Sequence, residues 1–230
     1  MSIAEVEHET ASARITRHAG VLSGQLRSLG TTLFPPAANK SLRSFTSGEV
    51  AKIVRVSDGY LRQLSLDGLG PIPSIGHGGR RSYTLAQINE LRAYLAEARP
   101  RERLEFFPRR RQGEKLQVIT VANFKGGSAK TTTALYLSQY LALAGFRVLA
   151  LDLDPQASLS AMYGYQPEFD IGQNETIYGA IRYDDQRRPM REIVRPTYFD
   201  GIGLVPGNLE LMEFEHHTPR AMIERSEERR

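Results

Sequence analysis

A chain of 230 residues has room for one large domain or two small ones, and without cysteine it has neither a disulfide framework nor a thiolate metal site. Its 30 Lys and Arg against 26 Asp and Glu leave a net charge of +4 and a pI near 9.4, a balance that suits a polyanionic partner. No apolar run approaches the roughly 18 residues of a membrane-spanning helix, and the acidic start Met1-Ser2-Ile3-Ala4-Glu5 lacks an apolar signal core. A cytoplasmic protein with no membrane partner is expected.

Residues 1–40 read as a helical extension. Ile3–Leu29 carries a loose apolar stripe of Val6, Ile15, Leu22, Leu26 and Leu29, which either packs on its own domain or pairs with a second copy. Gly20 and Gly24 weaken that helix, and Pro35-Pro36 end it.

Residues 41–99 carry the marks of a helix-turn-helix. Thr46 and Glu49 form a capping box with Phe45 stapled to Val50, and the helix Ser47–Val54 buries Val50, Ala51, Ile53 and Val54. Ser57 caps a second helix from Asp58, which turns Leu61 and Leu64 inward and leaves Tyr60, Arg62 and Gln63 for a DNA groove. Thr84 and Gln87 box a third helix with Leu85, Ile88, Leu91 and Leu95 on its buried face. The glycine-rich loop between the second and third helices ends in Arg80-Arg81, placed as a wing placed at phosphates or in a minor groove. A helical module with a mobile basic loop and no DNA role is the bland alternative.

Residues 100–115 form a basic linker, with Arg101, Arg103, Arg109, Arg110 and Arg111, either simply solvated or touching phosphate. In residues 116–230, the apolar run Leu116–Phe124 predicts a strand, Lys125-Gly126-Gly127-Ser128-Ala129-Lys130-Thr131-Thr132 a loop, and Thr131–Ala144 a helix. Strand, glycine turn and a helix opening on Lys-Thr build a phosphate cradle. Backbone N–H groups and the helix dipole converge on one anion site. Gly126, Gly127, Ser128, Ala129, Lys130, Thr131 and Thr132 would line it, Lys130 facing the β- and γ-phosphates and Thr131 a Mg²⁺ ion. ATP and Mg²⁺ are the expected cofactors. A further strand, Val148–Asp152, runs into Asp152-Leu153-Asp154-Pro155-Gln156, and Gly201–Pro206 supplies a third.

The loop's K-G-G-x-x-K-T-T pattern and the D-x-D-P-Q segment resemble the deviant Walker A family of ParA and MinD. The resemblance implies that Lys125 reaches the partner's phosphates in an ATP-sandwiched homodimer, that Asp154 positions the attacking water, and that Asp152 supports the Mg²⁺ shell through water. Lys125, Lys130 and Asp154 are thereby the expected catalytic residues. E-V-A-x-x-x-x-V-S followed by G-x-R-R-x-Y is similar to the MerR-type winged helix-turn-helix. Taken together, the chain resembles RepA, the ParA-type partition ATPases of RepABC plasmids, also through Val205-Pro206-Gly207-Asn208-Leu209-Glu210-Leu211. That family implies slow ATP hydrolysis coupled to DNA binding, plasmid segregation and operon autorepression, with a ParB-type centromere-binding partner and nucleoid or plasmid association.

Two departures from the family qualify this. Ala129 stands where the family usually has glycine, and no later apolar run ends in the Asp-x-Pro-Pro of the Walker B strand. The expectation is therefore an α/β P-loop parallel-sheet domain, incomplete at its C-terminus, behind a helical winged helix-turn-helix. Its nucleotide half would be marginal while residues 1 to about 100 fold alone. The competing reading is a truncated, non-catalytic DNA-binding repressor fragment. A MinD-like membrane ATPase would need more apolar surface than Ala221–Arg230 offers.

Overall fold

The computed structural model describes residues 10–33, 40–108, 110, 112–214 and 217–219. Ile3, Val6, Pro35, Pro36, Arg109, Arg111 and the ending 220–230, on which expectations above fall, lie outside them. The chain separates into two units, Met1–Asn39 and Lys40–Arg230.

The first unit holds α1 (Ala11–Leu33). Gly20 and Gly24 do not interrupt it. Of the predicted stripe, Ile15, Leu22, Leu26 and Leu29 are exposed.

In the second unit, β1 (Phe45–Thr46) leads into α2 (Ser47–Val54), and a short turn connects to α3 (Asp58–Leu66). Both predicted starts are built as expected. The Thr46 hydroxyl accepts from the Glu49 N–H while the Glu49 carboxylate accepts from the Thr46 N–H, and the Ser57 hydroxyl accepts from the Tyr60 N–H. The hairpin of β2 (Ser74–Ile75) and β3 (Arg81–Tyr83) turns through a short 3-10 segment, His77–Gly79. β3 pairs antiparallel with both β1 and β2, completing a three-stranded sheet. Thr84 and Gln87 box the start of α4 (Leu85–Ala98), whose Leu85, Ile88, Leu91 and Leu95 are buried as its period demands. A short α5 (Arg103–Phe106) follows within the basic stretch and buries Phe106.

Beyond the loop, α6 (Lys130–Leu143) leads to β4 (Val148–Leu151). Four short helices come next, α7 (Ser158–Met162), α8 (Pro167–Asp170), α9 (Ile177–Ile181) and α10 (Met190–Ile193). β5 (Arg195–Pro196) and β6 (Ile202–Val205) complete the set. β6 lies between β4, parallel to it, and β5, antiparallel to it.

This sheet corrects two expectations. It is mixed, not purely parallel, because the chain doubles back at β5 before entering β6. And Leu116–Phe124 is not a strand: no backbone ladder joins it to another segment among the described residues, and Leu116, Val118, Ile119 and Phe124 stand in the open. A parallel strand exists only through neighbours that bond its edges and cover its faces. The apolar sequence is present here without them.

One apolar cluster runs unbroken through the second unit. It joins Phe45, Val50, Leu61, Tyr83, Ile88 and Leu95 to Phe106, Ala142, Ala150, Tyr163, Ile202 and Leu204.

Candidate functional site

The loop Lys125–Lys130 is shaped by two left-handed residues, Gly127 at φ 71° and Ala129 at φ 57°, ψ 24°. Ala129, where the resembling family usually has glycine, is the N-cap of α6 and is held in the left-handed region. An L-residue with a Cβ held in this region costs roughly 1–2 kcal/mol. No side chain caps α6, and its first intrahelical acceptor, the Ala129 carbonyl, serves Thr133. The N–H groups of Lys130, Thr131 and Thr132 therefore face outward without an intrahelical acceptor. The buried Ser128 Oγ also has no hydrogen-bond partner. Free donors at a helix N-terminus beside a lysine fit an anionic phosphate group. Lys130 folds back over the loop, its Nζ donating to the Lys125 carbonyl at 3.4 Å. The Lys125 N–H is held by Asn123 Oδ1 at 2.9 Å, and Gly126 and Thr132 are exposed while Thr131 is half-buried.

The acids after β4 behave differently from one another. Asp152 is buried and anchored: its Oδ2 accepts from the Ser160 N–H at 2.8 Å and from the Ser160 hydroxyl at 2.7 Å. Its Oδ1 faces the Asp154 N–H at 3.4 Å. Burial pushes its carboxyl above the ordinary value, against the pull of those bonds. Ser160 Oγ in turn accepts from the Gly207 N–H at 2.9 Å. Only glycine fits there, since a Cβ at 207 would lie 2.9 Å from the Asp154 carbonyl. Asp154 is exposed and accepts from the Gln156 N–H at 3.0 Å in a local turn. Lys125 and Lys130 thus meet in the loop and Asp152 and Asp154 meet beyond β4. No hydrogen bond or ion pair among the described residues joins the two groups.

The five predicted DNA contacts differ in exposure. Arg62, Gln63 and Arg80 are exposed, and Gln63 donates to Asp67 Oδ1 at 2.8 Å. Arg81 is half-buried with its Nε unpaired. Tyr60 is half-buried against the core, with the Arg99 guanidinium 4.6 Å from its ring centre.

Gly207 lies within Val205–Leu211 and Ser160 beyond Asp152–Gln156, and nothing local in the sequence marks Ser160 as the partner of Asp152 or Gly207 as the partner of Ser160. Arg92 was missed altogether, although a charge at the α4 face shared by Ile88 and Leu95 was a signal; it is buried on the C-terminal end of α6. None of the helices among the described residues is long and apolar enough to cross a membrane, and none of these residues group as three or more His, Asp or Glu able to hold a metal.

A family model described as an AAA domain matches residues 116–228. A Rhizobium rhizogenes protein, provisionally named replication protein A, is 51% identical over 216 residues, which is 94% of this chain and 53% of that protein. Protein SopA of Escherichia coli (strain K12) is 32% identical over 185 residues, 78% of this chain and 45% of SopA. Among solved structures, a cobyrinic acid a,c-diamide synthase from Mycobacterium smegmatis with bound ADP and magnesium is 33% identical, covers 40% of this chain and 34% of its own, and superposes at a TM-score of 0.33. The chain spans about half the length of the curated relatives it matches. It is a homologue of the RepA/ParA-type plasmid-partition ATPases.

Proposed function

We propose that the chain is a plasmid-partition ATPase that binds MgATP at its loop and DNA through a winged helix-turn-helix, repressing its own operon as well. The observation that carries the reading is the loop itself. Gly127 and Ala129 in left-handed conformation turn the uncapped N–H groups of α6 outward beside Lys130. In this reading Gly126 through Thr132 cradle the phosphates, Lys130 neutralises the β- and γ-phosphates, and Thr131 ligates Mg²⁺. Lys125 reaches a second copy's nucleotide, Asp154 orients water, and Asp152, tied to Ser160, holds the strand end in register for the Mg²⁺ shell. Bound ATP would supply the phosphoryl group and the glue of a homodimer.

On the DNA side, α2 and α3 form the helix pair and β2–β3 the wing. Arg62, Gln63 and Arg80 are available at the surface, Arg81 sits at the wing's base, and Tyr60 contributes from its half-buried position. Operator and non-specific DNA, a ParB-type centromere-binding protein and a nucleoid- or plasmid-associated cytoplasmic location complete the proposal. The domain bounds 1–40, 41–99, 100–115 and 116–230 go with it.

The test is calorimetric titration of MgATP into the chain and its Lys130→Ala variant. Binding that vanishes in the variant supports the reading. The unpaired Leu116–Phe124 favours one rival, a non-catalytic DNA-binding repressor fragment. That rival predicts DNA binding with no MgATP heat in either protein.

A further inference from the structure

Arg92 is an unusual residue to bury. It sits on α4 with 2% of its surface exposed, and burial lowers its guanidinium to about 10. A buried charge persists only where its donors are used. Its Nη1 donates to Asn89 Oδ1 at 2.8 Å, and its Nη2 donates to the carbonyl of Leu143, the last residue of α6. A cation on the C-terminal carbonyls of a helix also meets the negative end of the helix dipole. Gly145 makes room for it. Its φ is +97°, and a Cβ there would stand 3.1 Å from Arg92 Nε.

Asn89 extends the clasp to the sheet. Its Nδ2 donates to Asp200 Oδ2 at 2.6 Å, and Asp200 lies just before β6. Both elements that Arg92 and Asn89 hold have their other ends at the proposed nucleotide site. α6 begins at Lys130, about 21 Å away along its axis at 1.5 Å per residue. β6 runs into Gly207, which bonds the Ser160 that anchors Asp152. So α4 grips the far ends of the two elements that carry the phosphate loop and the acid pair.

We propose that Arg92, with Asn89, is the positioning contact through which occupancy of the loop is passed to the α2–α4 unit, so that nucleotide sets DNA affinity. The inference rests on the functional reading above. A rigid helix loaded at its N-terminus and clasped at its C-terminus moves the clasped unit with it. Arg92 acts through the end of α6 and Asn89 through Asp200 just before β6; both are positioning residues.

The test measures affinity for a fluorescein-labelled mixed-sequence duplex by anisotropy, with and without saturating MgATP. Calorimetry on the same proteins measures MgATP itself. The chain is compared with Arg92→Lys, Asn89→Ala and Asp200→Ala. Asp200 is exposed, so its variant removes the sheet arm without disturbing the buried guanidinium. In the parent, MgATP is expected to change DNA affinity by at least about five-fold, the lower end of ordinary coupling. In the variants that ratio falls toward one while each separate affinity stays within about three-fold of the parent, against a normal coupling range of about 5–150-fold. Variants that keep the parent's ratio overturn the proposal. A parent that binds both ligands with a ratio of one overturns it while leaving the functional reading intact. A parent with no MgATP heat overturns both.

Discussion

Ala129→Gly should stabilise the protein, and the size of the gain follows from one dihedral pair. Ala129 sits at φ 57°, ψ 24° with its methyl in solvent, so no packing is lost when the Cβ is removed. Relief of the left-handed conformation is worth about 1–2 kcal/mol. Against that, glycine adds freedom to the unfolded chain, costing about 0.4–1 kcal/mol. The net is a gain of roughly 0.8 kcal/mol, or about 2 °C in midpoint for a unit of this size. Ala157 provides the internal control. It has nearly the same backbone, φ 52° and ψ 31°, but its methyl is buried. Ala157→Gly gives up a methyl worth about 0.8 kcal/mol of burial, so its net change should be close to zero. Urea unfolding followed by circular dichroism would compare the three proteins under one slope. An Ala129→Gly variant less stable than the parent, or less stable than Ala157→Gly, refutes the strain account of the loop.

Other expectations are as direct. Ser160→Ala leaves the Gly207 N–H unpaired and removes one donor from the buried Asp152, a loss of about 1–3 kcal/mol measurable by urea titration. The Asp152 carboxyl should also rise further. Since its folded value lies above the unfolded one, its contribution to stability is present below the ordinary carboxylate range and lost as pH rises through the raised value. An unshifted Asp152 midpoint in the NMR titration of this variant would count against the assigned bonds. Glu49 has the opposite sign: hydrogen bonds from Arg43, then from the Thr46 N–H and hydroxyl, hold it at about 2. Its contribution is complete above the ordinary value of 4.5 and is lost as pH falls through about 2. Arg43→Ala should bring the midpoint back up toward 4.5, and no change would show that Arg43 does not hold it. Finally, the unbroken cluster from Phe45 to Leu204 predicts one calorimetric transition for Lys40–Arg230. Two resolved transitions, with 45–98 surviving the first, would instead support the expectation that residues 1 to about 100 fold without the nucleotide half.

The parts of the fold legible in the sequence were those decided within a few residues. Thr46 with Glu49, and Thr84 with Gln87, announce helix starts because the capping partners are three positions apart. The apolar period of α4 announced its buried face, and the glycines and Lys-Thr of the loop announced the turn before α6. What failed was decided at a distance. Leu116–Phe124 has the composition of a strand, but a strand is a relation between segments, and the apolar run alone does not supply the second one. The doubling back at β5 turned an expected parallel sheet into a mixed one. At the site, Asp152 was legible as an acid ending a strand, while its capture by Ser160 depends on α7 folding back under β4 and on Gly207, 47 residues beyond Ser160.

The grip of α4 on α6 also bears on how such proteins can be recombined. The basic stretch 100–115 looks like a natural seam, a place to join one helical front to a different C-terminal half. A cut there would draw Phe106 out of the core and leave the Leu143 carbonyl without its guanidinium. A helical front transplanted onto a foreign domain would need a matching Gly145 notch and an Asp200 to receive it. The two halves are therefore expected to be inherited as a fitted pair, and chimeras between distant relatives should fail unless the back end of α6 travels with α4.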